Sequence, residues 1–197
     1  MLVLASGSAA RTALLTAAGV AHDVMVAQVD EDSAKQAFKE RGLQPRDIAD
    51  GLAELKAVKV SQRRPEALVL GADQILAAED GGLLDKPGSR EEAADQLRSL
   101  RGKDHVLISS AVIALGGQPI WRAVDEARLT VRNFSDSFLK AYLDHEWPAI
   151  SGCVGGYRLE AMGAQLFSRI RGDHFTILGL PLLPVLDFLR VRGELTS

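Results

Sequence analysis

The sequence predicts an α/β fold with a mixed β-sheet flanked by helices. In the first half, short apolar runs alternate with segments whose apolar residues recur at helical spacing, as in strands and helices packed in layers. In the second half, longer segments are apolar or alternate in polarity, and glycine and proline separate them. Of the 197 residues, 47% are hydrophobic and 25% are charged, so the chain can bury a core without disulfides. We expect one domain over residues 1–197.

The chain opens with a predicted strand, a tight turn and a helix. Residues 2–5 form a short apolar run that indicates a buried strand. Ser6-Gly7-Ser8 ends this run, Ser8 is suited to cap a helix, and Gly19 is placed to end that helix.

The remaining elements follow from the same two periodicities. The other strand candidates are residues 24–29, 67–70 with the continuation 71–76, 105–115 and 127–134. The other predicted helices are residues 47–60, 90–100, 138–143 and 180–191. Glycine and proline between 105–115 and 127–134 suggest a hairpin, and Gly152 to Tyr157 is a glycine-rich loop or strand.

Charge and cysteine content limit the class of protein. Twenty-three Lys and Arg against 26 Asp and Glu leave a net charge of -3, which does not favour a nucleic-acid polymer or an acidic membrane. The one cysteine, Cys153, excludes an internal disulfide and fits a reducing compartment. No basic residue precedes the first apolar run, and no apolar stretch approaches the ~18 residues of a membrane span. We expect a cytoplasmic protein.

Two segments contain candidate residues for an anion site and a general base. Ser6, Ser8 and Arg11 surround a helix start, where backbone N–H groups, hydroxyls and a guanidinium suit a phosphate; a capped helix with a solvated arginine is the alternative. Asp73 interrupts an apolar strand, and a desolvated carboxylate needs a cation or a strand end open to ligand. Asp73 could act as a general base there, or it could only cap a turn.

Other charged residues allow two interpretations each. Lys56 on a helix and Lys86 before Pro87 are either solvated surface cations or members of one pocket with Asp73. Glu31, in the acidic group Asp30 to Asp32, could help to hold Mg²⁺ or Mn²⁺ or belong to a solvated loop. The chain lacks the phosphate-loop, dinucleotide-binding and nucleophile-elbow motifs, and its four histidines lack zinc-ligand spacing.

Taken in order, short motifs along nearly the whole chain resemble those of the Maf family of nucleotide pyrophosphatases. The matching segments are Leu2 to Ser8 with Arg11, Val29-Asp30-Glu31, Lys56-Ala57, Gly71-Ala72-Asp73, Asp85-Lys86-Pro87, Leu100 to His105, and Gly172-Asp173 to Leu182. The resemblance implies a two-lobed α/β domain with a twisted mixed sheet and a cleft between the lobes. It implies hydrolysis of nucleoside triphosphates to the monophosphate and pyrophosphate, and a homodimer.

The resemblance also implies roles for single residues. Asp73 corresponds to the catalytic base, and Glu31 to an acidic partner at a divalent metal, Mg²⁺ or Mn²⁺. The phosphate-side contacts implied by position are Ser6, Arg11, Lys56 and Lys86.

Departures from the family pattern bear on which nucleotide base the protein prefers. Gln74 and Glu160 stand where the pyrimidine-directed branch has Thr and Gln, and both resemble the branch that acts on 7-methyl-GTP. A carboxylate suits the adjacent N–H donors of guanine and the positive charge of an N7-methylated base. Ala10 stands where that branch has a large aromatic residue, so one base contact is expected to be absent. The alternatives are a dTTP/UTP pyrophosphatase, or a regulator of cell division that binds nucleotide without turnover.

Overall fold

A seven-stranded mixed sheet forms the centre of the molecule. The computed structural model describes Met1 to Thr196. The strands are β1 (Leu2–Leu4), β2 (His22–Val24), β3 (Leu68–Ala78), β4 (Leu83–Leu84), β5 (Asp104–Leu115), β6 (Gln118–Val131) and β7 (Phe167–Arg171). The helices are α1 (Ala9–Ala17), α2 (Glu31–Glu40), α3 (Pro45–Ser61), α4 (Arg90–Leu100), α5 (Asp136–Glu146), α6 (His174–Ile177) and α7 (Leu182–Val191). Short 3₁₀ turns lie at Ala149–Gly152, Val154–Gly156 and Met162–Leu166.

The sheet changes from parallel to antiparallel pairing at β3. The strand order is β2-β1-β3-β5-β6-β7, with β4 also paired to β3. β1 runs parallel to β2 and β3, whereas β3, β4, β5, β6 and β7 pair antiparallel. The α/β class and the mixed sheet are therefore confirmed.

One edge of β3 is left open in its middle. β1 pairs with β3 only as far as Leu4 opposite Leu70, and β4 pairs with it only from Leu76 onward. Among the described residues, no strand covers this edge of β3 between Leu70 and Leu76. The expected cleft corresponds to this gap, because the loops that follow β1 and β4 lie on either side of it.

The helices form two separate groups on one face of the sheet, which correspond to the two expected lobes, and one layer on the other face. On one face, one apolar cluster joins α1 and α7 to Leu70 and Ala72, and a second joins α4 and α5 to Leu76 and Leu107. On the other face, α3 packs against β3 and β5. No helix within the described residues is both long and apolar enough to cross a membrane.

Several sequence-based element boundaries were wrong. The strand expected over 24–29 is β2 at His22–Val24, and the acidic group begins α2 instead of lying in a loop. Asp30 caps α2 by accepting a hydrogen bond from Ser33 N at 3.0 Å. No residue of α2 is fully buried, and only the short apolar stripe of Ala34 and Phe38 packs against the core. The strand expected over 127–134 is the end of the longer β6, whose charged residues are mostly exposed. The short elements β4, β7 and α6 gave no periodic signal.

Helix α3 lies unusually close to the sheet at Gly71. A Cβ atom at this position would lie 2.2 Å from the Ala53 carbonyl oxygen and 2.6 Å from the Ala57 nitrogen. Real Cβ atoms do not approach backbone atoms this closely, so only glycine allows the contact. The close approach brings Lys56, which lies in the same turn of α3, against Asp73 on β3.

Replacing Gly71 by alanine is expected to lower the free energy of unfolding by about 1–3 kcal/mol, since the added methyl group must push α3 away from β3. Urea denaturation measures this change. Gly152→Ala is the matched control, because nothing lies within 4 Å of a Cβ there and its φ is not positive. Equal stability of the two variants would contradict the close packing.

Candidate active site

A lysine bound by two carboxylates forms the centre of the candidate site. Lys56 Nζ on α3 lies 2.7 Å from Asp73 Oδ1 on β3 and 2.7 Å from Glu31 Oε2 at the start of α2. Lys56 and Asp73 are 6% and 7% exposed, whereas the Glu31 side chain is 43% exposed. In this three-residue cluster, the Lys56–Asp73 ion pair is therefore buried and Glu31 is open to solvent.

This ion pair accounts for the carboxylate in an apolar strand. A buried charge left without its partner destabilises a protein by about 3–5 kcal/mol, so Asp73 and Lys56 require each other. Asp73 Oδ2 has no hydrogen-bond partner within Met1 to Thr196 and is not among the fully enclosed unpaired atoms. This oxygen of Asp73 is free to accept a proton or to bind a ligand.

Arg11 enters the site from α1, beyond the end of β1. Its Nε donates to the Gly179 carbonyl oxygen at 2.7 Å, and its Nη1 donates to Ser6 Oγ at 3.1 Å. Burial lowers the pKa of the Arg11 guanidinium, and the carboxylates of Asp73 and Glu31 oppose this shift. A desolvated cation is thus held in the field of the two carboxylates.

The turn that follows β1 carries groups that suit the binding of an anion. Ser8 caps α1, accepting the Arg11 backbone N–H at 3.4 Å. Ser6 lies at the carboxyl end of β1, on the edge where the parallel strands end, and it is 6% exposed. Ligands of open α/β sheets collect at such edges, and the amino end of α1 favours negative charge.

Lys86 lies apart from this cluster. Its side chain is exposed, and no ion pair joins it to Asp73 or Glu31 in the described part of the chain. It follows β4 on the far side of the gap in β3, and the neighbouring Asp85 forms an ion pair with Lys35 of α2. The loop of Lys86 is thereby tied to the helix that begins with Glu31.

The three residues expected to read the base occupy different places. Ala10 is half-buried in the first turn of α1, and Glu160 is exposed after the glycine-rich loop. Gln74 lies next to Asp73 in sequence but on the opposite face of the sheet, where its Nε2 lies 3.0 Å from the carbonyl oxygens of Thr176 and Ile177. Its Oε1 has no protein partner within Met1 to Thr196.

The polar residues on the Gln74 side of the sheet were not predicted from the sequence. Ser109 faces Gln74 across β3 and β5, and Asp125 faces Ser109 across β5 and β6. The signal was present, because Ser109 and Ser110 interrupt an otherwise apolar strand. Thr176 of α6 gave no such signal, since the sequence did not predict this short helix.

The donor set fits a divalent cation held together with a phosphate. Glu31 and Asp73 both contact the Lys56 ammonium, and each retains a second carboxylate oxygen that is available to a cation beside the ammonium. No group of three or more His, Cys, Asp or Glu in the described residues could form a closed cage. Mg²⁺ is commonly bound by one or two carboxylates plus phosphate oxygens and water, which matches this arrangement.

Two cavities lie away from this site. One of about 240 Å³ is lined by Met1 and residues 63–67, and one of about 330 Å³ lies between α4 and Leu143. Neither contains an ionisable pair comparable to Lys56 and Asp73, and neither includes a residue expected at the site.

Comparison with known proteins shows the family of the chain. The model of the family described as "Maf-like protein" matches residues 1–192. The chain belongs to this family. It is 52% identical over 195 residues to a protein of Caulobacter vibrioides, covering 99% of this chain and 97% of the relative. It is 50% identical over 196 residues to a protein of Ruegeria pomeroyi, covering 100% and 98%. Both relatives are named nucleoside triphosphate pyrophosphatase.

In this Maf-like protein, the glycine-rich loop is anchored by buried polar groups. His105 Nε2 and the Tyr157 hydroxyl are 2.6 Å apart and share a hydrogen bond. Gly155 has φ 75° and a Cβ there would lie 2.4 Å from Leu76, so the loop packs directly on β3. Beyond it, Arg158 Nη2 binds the buried Glu146 carboxylate at 2.7 Å, which fixes the segment that leads to Glu160.

Burial lowers the pKa of His105 from 6.5 to about 4, with a smaller opposing effect of Asp104. Between pH 4 and pH 6.5, His105 therefore binds a proton in the unfolded chain but not in the folded protein. The stability due to the neutral ring is therefore complete above pH 6.5 and is lost as the pH falls toward 4.

We expect His105→Gln to remove this pH dependence while keeping a polar partner for Tyr157. The difference in unfolding free energy between wild type and variant should change by about 3 kcal/mol from pH 7 to pH 4. Urea denaturation across this range measures it. A difference that stays constant would contradict a neutral, buried His105.

Proposed function

We propose that this Maf-like protein hydrolyses nucleoside triphosphates at the α-phosphorus, giving the nucleoside monophosphate and pyrophosphate. The single observation that carries the proposal is the buried Lys56–Asp73 pair, with Glu31 and Arg11 beside it, at the open edge of β3. The names of the relatives from Caulobacter vibrioides and Ruegeria pomeroyi support it.

Asp73 is the general base of the proposed reaction. Its Oδ2 accepts a proton from the attacking water, while Oδ1 stays bound to Lys56 at 2.7 Å. The water oxygen forms a bond to the α-phosphorus, the bridging oxygen–phosphorus bond breaks, and pyrophosphate leaves with the electron pair. The ion pair with Lys56 fixes the orientation of Asp73, and positioning of this kind provides much of the catalysis of phosphoryl transfer.

Cations on both sides of the gap stabilise the triphosphate. Arg11 has its Nε and Nη1 already bonded, which directs the remaining Nη2 toward a phosphate oxygen. Ser6 and the amino end of α1 complete the contact on the β1 side. Lys86, exposed on the β4 side, binds the leaving pyrophosphate.

Glu31 and Asp73 would hold the divalent cation, Mg²⁺ or Mn²⁺. When bound, the ion supplies charge neutralisation and polarisation of the phosphate oxygens. Glu31 provides the outer carboxylate of this pair, since its side chain is 43% exposed.

For the base we propose 7-methyl-GTP or another modified nucleotide. Gln74 Oε1 and the exposed Glu160 carboxylate are free acceptors, as the adjacent N–H donors of guanine require. Uracil and thymine present acceptors on both sides of one donor and suit an amide better than a carboxylate. The proposal includes a cytoplasmic location and a homodimer, with no nucleic-acid polymer or membrane as partner.

Asp73→Asn is expected to reduce the rate of pyrophosphate release by about 10²–10⁴-fold, because the amide cannot take the proton from water. Binding of the nucleotide should change little, since Lys56 keeps Glu31 as a partner. Pyrophosphate release and equilibrium nucleotide binding are measured in parallel with Mg²⁺. Asp144→Asn, at an exposed ion pair on α5, is the control. Wild-type turnover by Asp73→Asn would rule out this base.

Glu160→Gln is expected to shift the preference between bases away from 7-methyl-GTP by about tenfold, the effect of losing one charge-assisted hydrogen bond. The measurement compares kcat/KM for 7-methyl-GTP, GTP, UTP and dTTP, with the exposed Glu66→Gln as control. Preferential cleavage of UTP or dTTP by the wild type would overturn the base assignment. Binding of all four without pyrophosphate release would indicate a nucleotide-binding regulator.

A further inference from the structure

A row of polar side chains crosses the sheet on the face opposite Asp73. Gln74, Ser109 and Asp125 lie side by side on β3, β5 and β6. The row separates the two apolar clusters on this face, and Ser109 is fully buried. Buried polar groups must find hydrogen-bond partners, so the row determines what can pack on top of it.

The partners come from α6. The carbonyl oxygen of Thr176 lies 2.7 Å from Ser109 Oγ and 3.0 Å from Gln74 Nε2, both of which donate to it. The Thr176 hydroxyl donates to Asp125 Oδ2 at 2.8 Å. Thr176 is itself fully buried. Side chains of three strands thus hold this four-residue helix, all of them through Thr176, and Gln74 also through the Ile177 carbonyl.

The Thr176 carbonyl is also linked to Arg11, through hydrogen bonds of Gly179. Gly179 N also donates to the Thr176 oxygen, at 3.1 Å, and the Gly179 carbonyl then accepts the Arg11 Nε–H at 2.7 Å. Gly179 has φ 97°, and a Cβ there would touch the guanidinium at 3.5 Å. The turn that receives Arg11 is consequently fixed by the Thr176 carbonyl and the side chains bound to it.

We propose that Ser109 and Thr176 are positioning residues for Arg11. They touch neither phosphate nor base; they fix the Gly179 carbonyl, which orients the guanidinium toward the triphosphate. The inference rests on the proposed function for its kinetic consequence, in which Arg11 contacts phosphate. The orientation of Arg11 itself does not depend on turnover.

The first measurement is therefore independent of activity. In wild type, the Arg11 Nε–H should exchange slowly with solvent, because it is buried and hydrogen-bonded; its NMR signal is assigned by its absence in Arg11→Lys. Ser109→Ala and Thr176→Val should accelerate this exchange by about fivefold, as expected for a loss near 1 kcal/mol. Ser61→Ala is the matched control, because Ser61 is equally buried and binds one backbone N–H, that of Gly117.

The second measurement is a double-mutant cycle on pyrophosphate release. Ser109→Ala should lower kcat/KM by about the same factor for every base, and this loss should largely disappear when Arg11 is already lysine. A loss confined to one base, or a loss of equal size with and without Arg11, would overturn the proposal. So would an Arg11 Nε–H exchange rate no faster than in Ser61→Ala.

The two proposals fail separately. If wild type releases no pyrophosphate from any nucleotide, the proposed function is wrong, and the exchange measurement alone decides whether Ser109 and Thr176 position Arg11. If Thr176→Val does not fold, Ser109→Ala, which removes a single hydroxyl, decides the same question by both measurements.

Discussion

The rest of the site depends on the contact of one ammonium group with two carboxylates. Lys56 can be buried only because Asp73 and Glu31 lie at 2.7 Å from its Nζ, and Asp73 can interrupt an apolar strand only because Lys56 faces it. The contact requires α3 to lie against the backbone of β3, which Gly71 permits. It also requires α2 to begin at Glu31, which the Asp30 cap secures. Local backbone chemistry at two positions thus determines where the charges meet.

The change of pairing at β3 explains why the site lies where it does. A parallel strand that ends early and a short antiparallel strand that begins late leave the middle of β3 without a neighbour on one side. The loops that follow β1 and β4 are consequently free to carry Ser6 and Lys86 to the two sides of the gap. A fully paired β3 would have enclosed Asp73 between strands and left no approach for a phosphate.

The sequence was sufficient for the class of fold, and it singled out the residues that the structure brings together at Lys56, because both leave strong local signals. Asp73 is an ionisable residue in an apolar run, and Ser8 is a cap before helical periodicity. Helix α2 and Thr176 could not be predicted in the same way. The side of α2 that faces the protein is only half-buried, and Thr176 is buried by contacts with strands more than fifty residues away in sequence. Such contacts depend on tertiary packing, which cannot be predicted from the periodicity of apolar residues in the sequence.

Consecutive residues of β3 serve opposite faces of the sheet. Asp73 points to α3 and binds Lys56, whereas Gln74 points to α6 and binds the carbonyls of Thr176 and Ile177. Side chains that alternate across a strand cannot touch each other, so the two layers must be joined at the open edge. Arg11 makes this connection, because it is held by the α6 side through Gly179 and lies in the field of Asp73 and Glu31. A change in either layer therefore reaches the same guanidinium.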